Sequence, residues 1–141
     1  MDLALRARPL LTLTIVLLVI YAPIETWYSL PALWSPFYLV DFIGIVLLTW
    51  GVVRCKREAT PASLAVLAAG YAWEGANFWR ALFGRLEAMA GGAELRLGLA
   101  ELCFVLCGTA VALIGLAWSL RLAIKGRVPA TMAGASGRLQ V

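Results

Sequence analysis

Long apolar runs that recur along almost the whole chain constrain its fold more than any other feature. Four of them, at about residues 9–26, 36–53, 61–83 and 96–120, are separated by short charged or turn-rich segments. A helix rises about 1.5 Å per residue, so about twenty apolar residues cross a hydrocarbon core about 30 Å thick. Lipid offers no partner to backbone N–H and C=O groups, and a helix satisfies its own. The pattern predicts an all-α integral membrane protein, a bundle of four transmembrane helices within residues 1–121. Residues 122–141 are basic and then rich in Gly, Ala and Ser, which predicts a disordered tail. Composition supports the lipid-facing reading. The 141 residues are 62% hydrophobic and 14% charged, whereas soluble domains are about half apolar and about a quarter charged. A core of one domain could not hide that much apolar surface.

The edges of the runs carry recognisable punctuation. The first run has a basic start and a short apolar centre, like a signal peptide, but Tyr21-Ala22-Pro23-Ile24-Glu25 contains no small-x-small cleavage site. It reads as an uncleaved helix that either continues past Glu25 or kinks at Pro23. Residues 25–36 hold Trp27, Tyr28 and Trp34 among prolines, as expected of an outer loop at the headgroup level. Thr60-Pro61 opens the third run with proline in the first helical turn. Residues 84–94, with Gly91-Gly92, read as a second outer loop.

The net charge of +4 comes from Lys and Arg beside the apolar runs: Arg6 and Arg8, then Arg54, Lys56 and Arg57, then Arg121, Lys125 and Arg127. Cytoplasmic flanks of membrane helices have this pattern, so nucleic acid is excluded as a partner and both termini are placed inside. The expected setting is a bacterial-type inner membrane, crossed several times. Histidine is absent, which removes the commonest metal ligand and the usual neutral-pH proton carrier. Neither a metal nor a cofactor is expected. Cys103 and Cys107 are read as small apolar residues buried in the fourth helix. Cys55 lies among cationic residues, a setting that would favour a thiolate or palmitoylation, secondary readings beside an inert thiol.

Charges inside a span are costly and face the protein interior. Here they are Asp41, Glu74, Arg80 and Glu101, with Glu25 at a boundary. Helix rise puts Glu74 about 13 Å from the outer end of its span, near the midplane, and the others closer to the outer surface. Four helices thus bring polar side chains to the outer half, and Asp41 is the expected partner of Arg80. Glu74 shares a helix face with Tyr71 and Asn77, and Asn77 could bridge Glu74 and Arg80. Glu101 leads a stripe of Gly108, Ala112, Gly115 and Ser119, which suits close contact with another helix. A buried carboxyl resists ionisation, so Glu74 is expected to hold its proton near neutrality. Tyr71, Trp73 and Trp79 could hold an organic cation by cation–π contact.

These residues suggest binding, and transport, of a cation or proton-coupled solute. Two alternatives stay open. One is an enzyme doing isomerase- or cyclase-type acid–base chemistry on a lipid or isoprenoid. The other is an accessory subunit of a larger membrane complex. Small-molecule or lipid ligands, the bilayer, and a homo-oligomer or larger complex are the partners these readings imply. No phosphate loop, dinucleotide fingerprint or nucleophile elbow is present. Reporter fusions at Ala59 and the C-terminus should report cytoplasm, and a fusion at Gly92 should report the outside. A cytoplasmic signal at Gly92 would remove the third or the fourth span.

Overall fold

The computed structural model describes residues 3–30, 36–92 and 98–127. These residues form four helices, α1 (Leu3–Ser29), α2 (Pro36–Arg57), α3 (Pro61–Ala90) and α4 (Leu99–Arg127), with no strand among them. Helices α1 and α4 are each long and apolar enough to cross a membrane. Helix α2 carries Asp41 near one end and Arg54, Lys56 and Arg57 at the other, and α3 carries Glu74, Arg80, Arg85 and Glu87. The large side chains on the outside are nevertheless apolar on all four helices, among them Val19, Val46, Phe83 and Ile114.

All four helices outrun the expected spans. Helix α1 passes through Pro9 and Pro23 without ending, so residues 25–29 are helical where an outer loop is expected. Pro23 is exposed, and its ring points away from the neighbouring helices. Helix α3 passes through Gly84 and stops only at Gly91; the Gly91 N–H donates to the Glu87 carbonyl and the Gly92 N–H to the Met89 carbonyl, each at 3.0 Å. Gly92 then turns the chain at a φ of 81°, a conformation glycine adopts freely. Helix α4 extends to Arg127 because Leu122 and Ala123 still face the core while Arg121 and Lys125 face outward. Residues 31–35 with Trp34, residues 93–97 with Glu94 and Arg96, and the tail from 128 onward lie outside the described residues.

The turn from α2 to α3 is set by a capping box. The Thr60 hydroxyl accepts from the Ser63 N–H at 3.1 Å, and the Ser63 hydroxyl oxygen accepts from the Thr60 N–H at 2.9 Å. Pro61 occupies the first turn, where its missing N–H costs nothing.

Helix α3 is the hub. It packs along both α2 and α4, whereas α1 makes smaller contacts with α2 and α4. A seven-residue repeat governs both large interfaces. On one side Leu67 and Glu74 fill notches at Gly51 and Gly44 of α2, and Leu48 of α2 fills the notch at Gly70. On the other side Tyr71 and Phe78 fill notches at Gly115 and Gly108 of α4. Large side chains entering holes at this spacing are the packing of antiparallel helix bundles. Helix α1 reaches the hub with long side chains: the Thr14 and Tyr71 hydroxyls are 2.7 Å apart, and the Tyr21 and Phe78 rings pack at 5.0 Å.

A Cβ at Gly115 would land in the Tyr71 ring. Gly115→Val should cost about 1–3 kcal/mol through overpacking. Tyr71→Phe, which removes one buried hydrogen bond, should cost about 1 kcal/mol. Thermal unfolding in mild detergent checks both, and the reverse order would refute this account of the α3–α4 interface.

Candidate functional site

Glu74 stands one heptad after Leu67 on the face that α3 turns to α2. A leucine fills the first notch and a carboxyl fills the second. Glu74 is fully buried at 0% exposure, and any Cβ at Gly44 would overlap its carboxyl group. Only glycine at position 44 lets α2 lie this close to an acid. Neither Glu74 oxygen completes a hydrogen bond, although the Tyr21 hydroxyl approaches closely enough to influence the group. A buried polar group left without a partner costs about 1–3 kcal/mol. Such a cost persists where the group has another task.

Two further acids lie within electrostatic reach of Glu74. Glu25, near the end of α1, and Asp41, near the start of α2, each lie close enough to act on Glu74 electrostatically, and on one another. Three acids from three helices thus share one region of the bundle, with Tyr21 beside Glu74. Arg80 stands at the edge of this group. Its Nη2 is 4.0 Å from Asp41 Oδ1, and its side chain is 53% exposed. The pairing with Asp41 is thus present but long and, on the arginine side, exposed, unlike the buried pair expected.

The remaining residues sort into two sets. Trp73 joins the site as a strut: its indole N–H donates to the Val40 carbonyl at 2.7 Å, tying α3 to α2 one residue from Asp41. Asn77 sits one turn from Glu74, but its buried Nδ2 finds no partner, so it does not bridge Glu74 to Arg80 through that atom. Tyr71 points to the opposite side, into α4 and Thr14. Trp79 is exposed and packs on Phe83 at 4.7 Å. The three aromatics expected around a cation therefore do not meet. Glu101 is buried on the small-residue stripe of α4, as expected, but it accepts from Arg85 Nε at 2.6 Å rather than joining the other acids. Arg85 also donates to the Ala81 carbonyl at 3.0 Å.

Tyr21 and Gly44 belong to the site and were not singled out in the sequence. Tyr21 precedes Glu25 by one helical turn, and Gly44 follows Asp41 by three residues, so each shares a face with an acid. The cysteines also differ from expectation. Cys103 and Cys107 are exposed, on the outward side of α4. Cys55 is buried, and burial pushes its thiol up, partly opposed by the nearby Ser63 hydroxyl. The thiolate suggested by its cationic neighbours is not favoured there. Among the described residues no group of three or more His, Cys, Asp or Glu converges to hold a metal ion. No protein-family model matches the chain, and no curated protein or solved structure does.

The two ion pairs should behave differently. Arg85 and Glu101 are 23% and 8% exposed and in direct contact. Glu101→Gln should be strongly destabilising, by about 3–5 kcal/mol, because it strands a largely buried guanidinium. The coupling between Asp41→Asn and Arg80→Gln in a double-mutant cycle should stay under about 1 kcal/mol, as for other exposed pairs. Thermal unfolding of the single and double variants measures both. A large Asp41–Arg80 coupling would show that the pair closes and dries in the membrane.

Proposed function

We propose that this chain crosses a bilayer four times, with both termini in the cytoplasm, and binds a cationic solute that exchanges a proton with Glu74. Transport is the natural extension of such a site. Several features support the four-span reading. Helices α2 and α3 are 22 and 30 residues long, about 33 and 45 Å at 1.5 Å per residue. Helix α3 packs along both α2 and α4, and the outer faces of α2 and α3 bear large apolar side chains such as Phe42, Trp50 and Phe83. A monomer in water would leave that surface uncovered. The basic end of α2 falls where the cytoplasmic loop is expected.

The observation that carries the functional reading is Glu74: buried completely, notched into α2 by Gly44, and without a hydrogen bond at either oxygen. A carboxylate in that position would face Glu25 and Asp41 and lack water. As the neutral acid it is tolerable. An arriving cation supplies the missing counter-charge, so binding releases the proton and proton return releases the solute. Arg80 faces Asp41 from the rim, so it offsets one negative charge there. Three carboxyl groups against one arginine leave a surplus of negative charge when they ionise, the sign a cation requires.

Under this proposal Glu74 carries its proton when no solute is bound. The infrared spectrum of wild type near neutral pH should contain a protonated carboxyl C=O band that is missing from Glu74→Gln. Glu74→Gln should still fold, because the amide keeps the shape. Addition of tetramethylammonium should release protons from wild type and none from Glu74→Gln. If the two proteins have the same carboxyl band and the same proton release, Glu74 is not the proton site.

A further inference from the structure

An apolar groove of about 230 Å³ runs between α1 and α4. Its walls include Leu13, Val16 and Tyr21 from α1 and Cys107 and Gly108 from α4, with Phe78 of α3 at its floor. It exists because α1 packs less closely on α4 than α3 does. Val16 is half-exposed and Cys107 is exposed, so the groove opens sideways, toward lipid in the four-span arrangement. Its length is set by α1: at about 1.5 Å per residue, about 12 Å separates Leu13 from Tyr21. Tyr21 closes the end nearer Glu25. Its ring lines the groove and packs on Phe78, while its hydroxyl faces the Glu74 carboxyl. The groove therefore runs along α1 to Tyr21, the one aromatic side chain that lines it and also meets Glu74.

We propose that the solute of the acid site is a long-chain amine, whose hydrocarbon chain lies in the α1–α4 groove and whose ammonium head passes Tyr21 to the Glu25, Asp41 and Glu74 cluster. This rests on the proton-exchange reading and names its substrate class. The apolar walls select a chain and offer a head no partner. The end at Tyr21 offers carboxyl groups that outnumber the nearby arginine, which selects a cation over an anion or a neutral head. The direction also fits: the groove runs along α1 from Leu13 to Tyr21, toward the end of α1 that carries Glu25. Entry is lateral, from lipid, and needs no aqueous funnel.

Cys107 and Cys103 provide a built-in assay. Both are exposed thiols on α4, one turn apart, but only Cys107 lines the groove. The full-length protein in lipid nanodiscs is treated with N-ethylmaleimide, and labelling of each cysteine is followed by mass spectrometry. Dodecylamine at ten times its Kd should slow Cys107 labelling about tenfold, as mass action requires if only the empty groove reacts. Cys103 should be unaffected. Dodecanol at the same mole fraction should protect Cys107 far less. Val16→Trp, which fills the groove mouth with a side chain at an exposed position, should abolish the amine's effect while tetramethylammonium still releases protons. Unchanged Cys107 labelling with dodecylamine overturns the groove proposal, and continued proton release by tetramethylammonium would then leave the acid-site reading standing. Equal protection by dodecanol overturns recognition of the amine head. Loss of tetramethylammonium-driven proton release from wild type overturns the acid site itself.

Discussion

The fit of large α3 side chains into glycine notches on both neighbours is the constraint on which the rest of this structure depends. Leu67 and Glu74 enter α2 at Gly51 and Gly44, and Tyr71 and Phe78 enter α4 at Gly115 and Gly108. Each pair is seven residues apart, so the same repeat runs down two faces of one helix. In the proposed bilayer setting there is little hydrophobic gain from bringing two helices together, and close van der Waals contact has to supply the attraction. Glycine permits that approach, and a leucine or aromatic ring makes it specific. The register of α2 and α4 on α3 follows, and with it the depth of every polar group those helices carry.

Glu74 is the exception in that repeat. At its position a leucine would pack into Gly44 as Leu67 packs into Gly51, with no polar atom to satisfy. The acid is accommodated sterically and left unsatisfied chemically. Neighbouring helices do not correct the deficit. They deepen it, since Glu25 and Asp41 come from α1 and α2 to within electrostatic reach of it. The cations are kept apart: Arg80 is on the rim and Arg85 is committed to Glu101. A bundle built only for stability would exchange these roles, with an arginine inside beside the acids or no acid at all.

Much of this was legible in the sequence, and the reasons for the remainder are physical. The helices announce themselves through apolar length, and Thr60-Pro61 marks a helix start that the capping box confirms. The stripe of Gly108, Ala112, Gly115 and Ser119 pointed inward because small residues serve no purpose against lipid, and all four are buried. The burial of Glu74 followed from its depth and short side chain. Helix ends were less legible, because hydropathy reports where lipid begins and hydrogen bonding reports where a helix stops; α3 passes Gly84 and ends only when Gly91-Gly92 turns the chain. The partner of Glu101 was hidden for the same reason, since Arg85 was read into a loop. Tyr21 and Gly44 were overlooked because each acquires its meaning from a partner on another helix.

The aromatic residues show how the two halves of the molecule divide the work. On α3, Trp73 braces α2 at the edge of the site through the Val40 carbonyl, and Trp79 lies outside it, packed on Phe83. Tyr21, Phe78 and Phe104 form an inner row, with ring centroids 5.0 Å apart in the first contact and 6.3 Å in the second. That row crosses from α1 through α3 to α4 and is the main apolar link between α1 and the hub at the level of the acids. Helix α1 has no glycine notch of its own to lock it; it holds on through Tyr21 at one level and the Thr14–Tyr71 hydrogen bond about two turns below. The close-packed α2–α3–α4 unit fixes Glu74 and Asp41, while α1 brings Glu25 and Tyr21 to them on looser contacts. In the proposed reading, a site whose proton sits on the rigid part and whose cover sits on the looser helix would admit a solute without disturbing the glycine-packed interfaces that hold the bundle together.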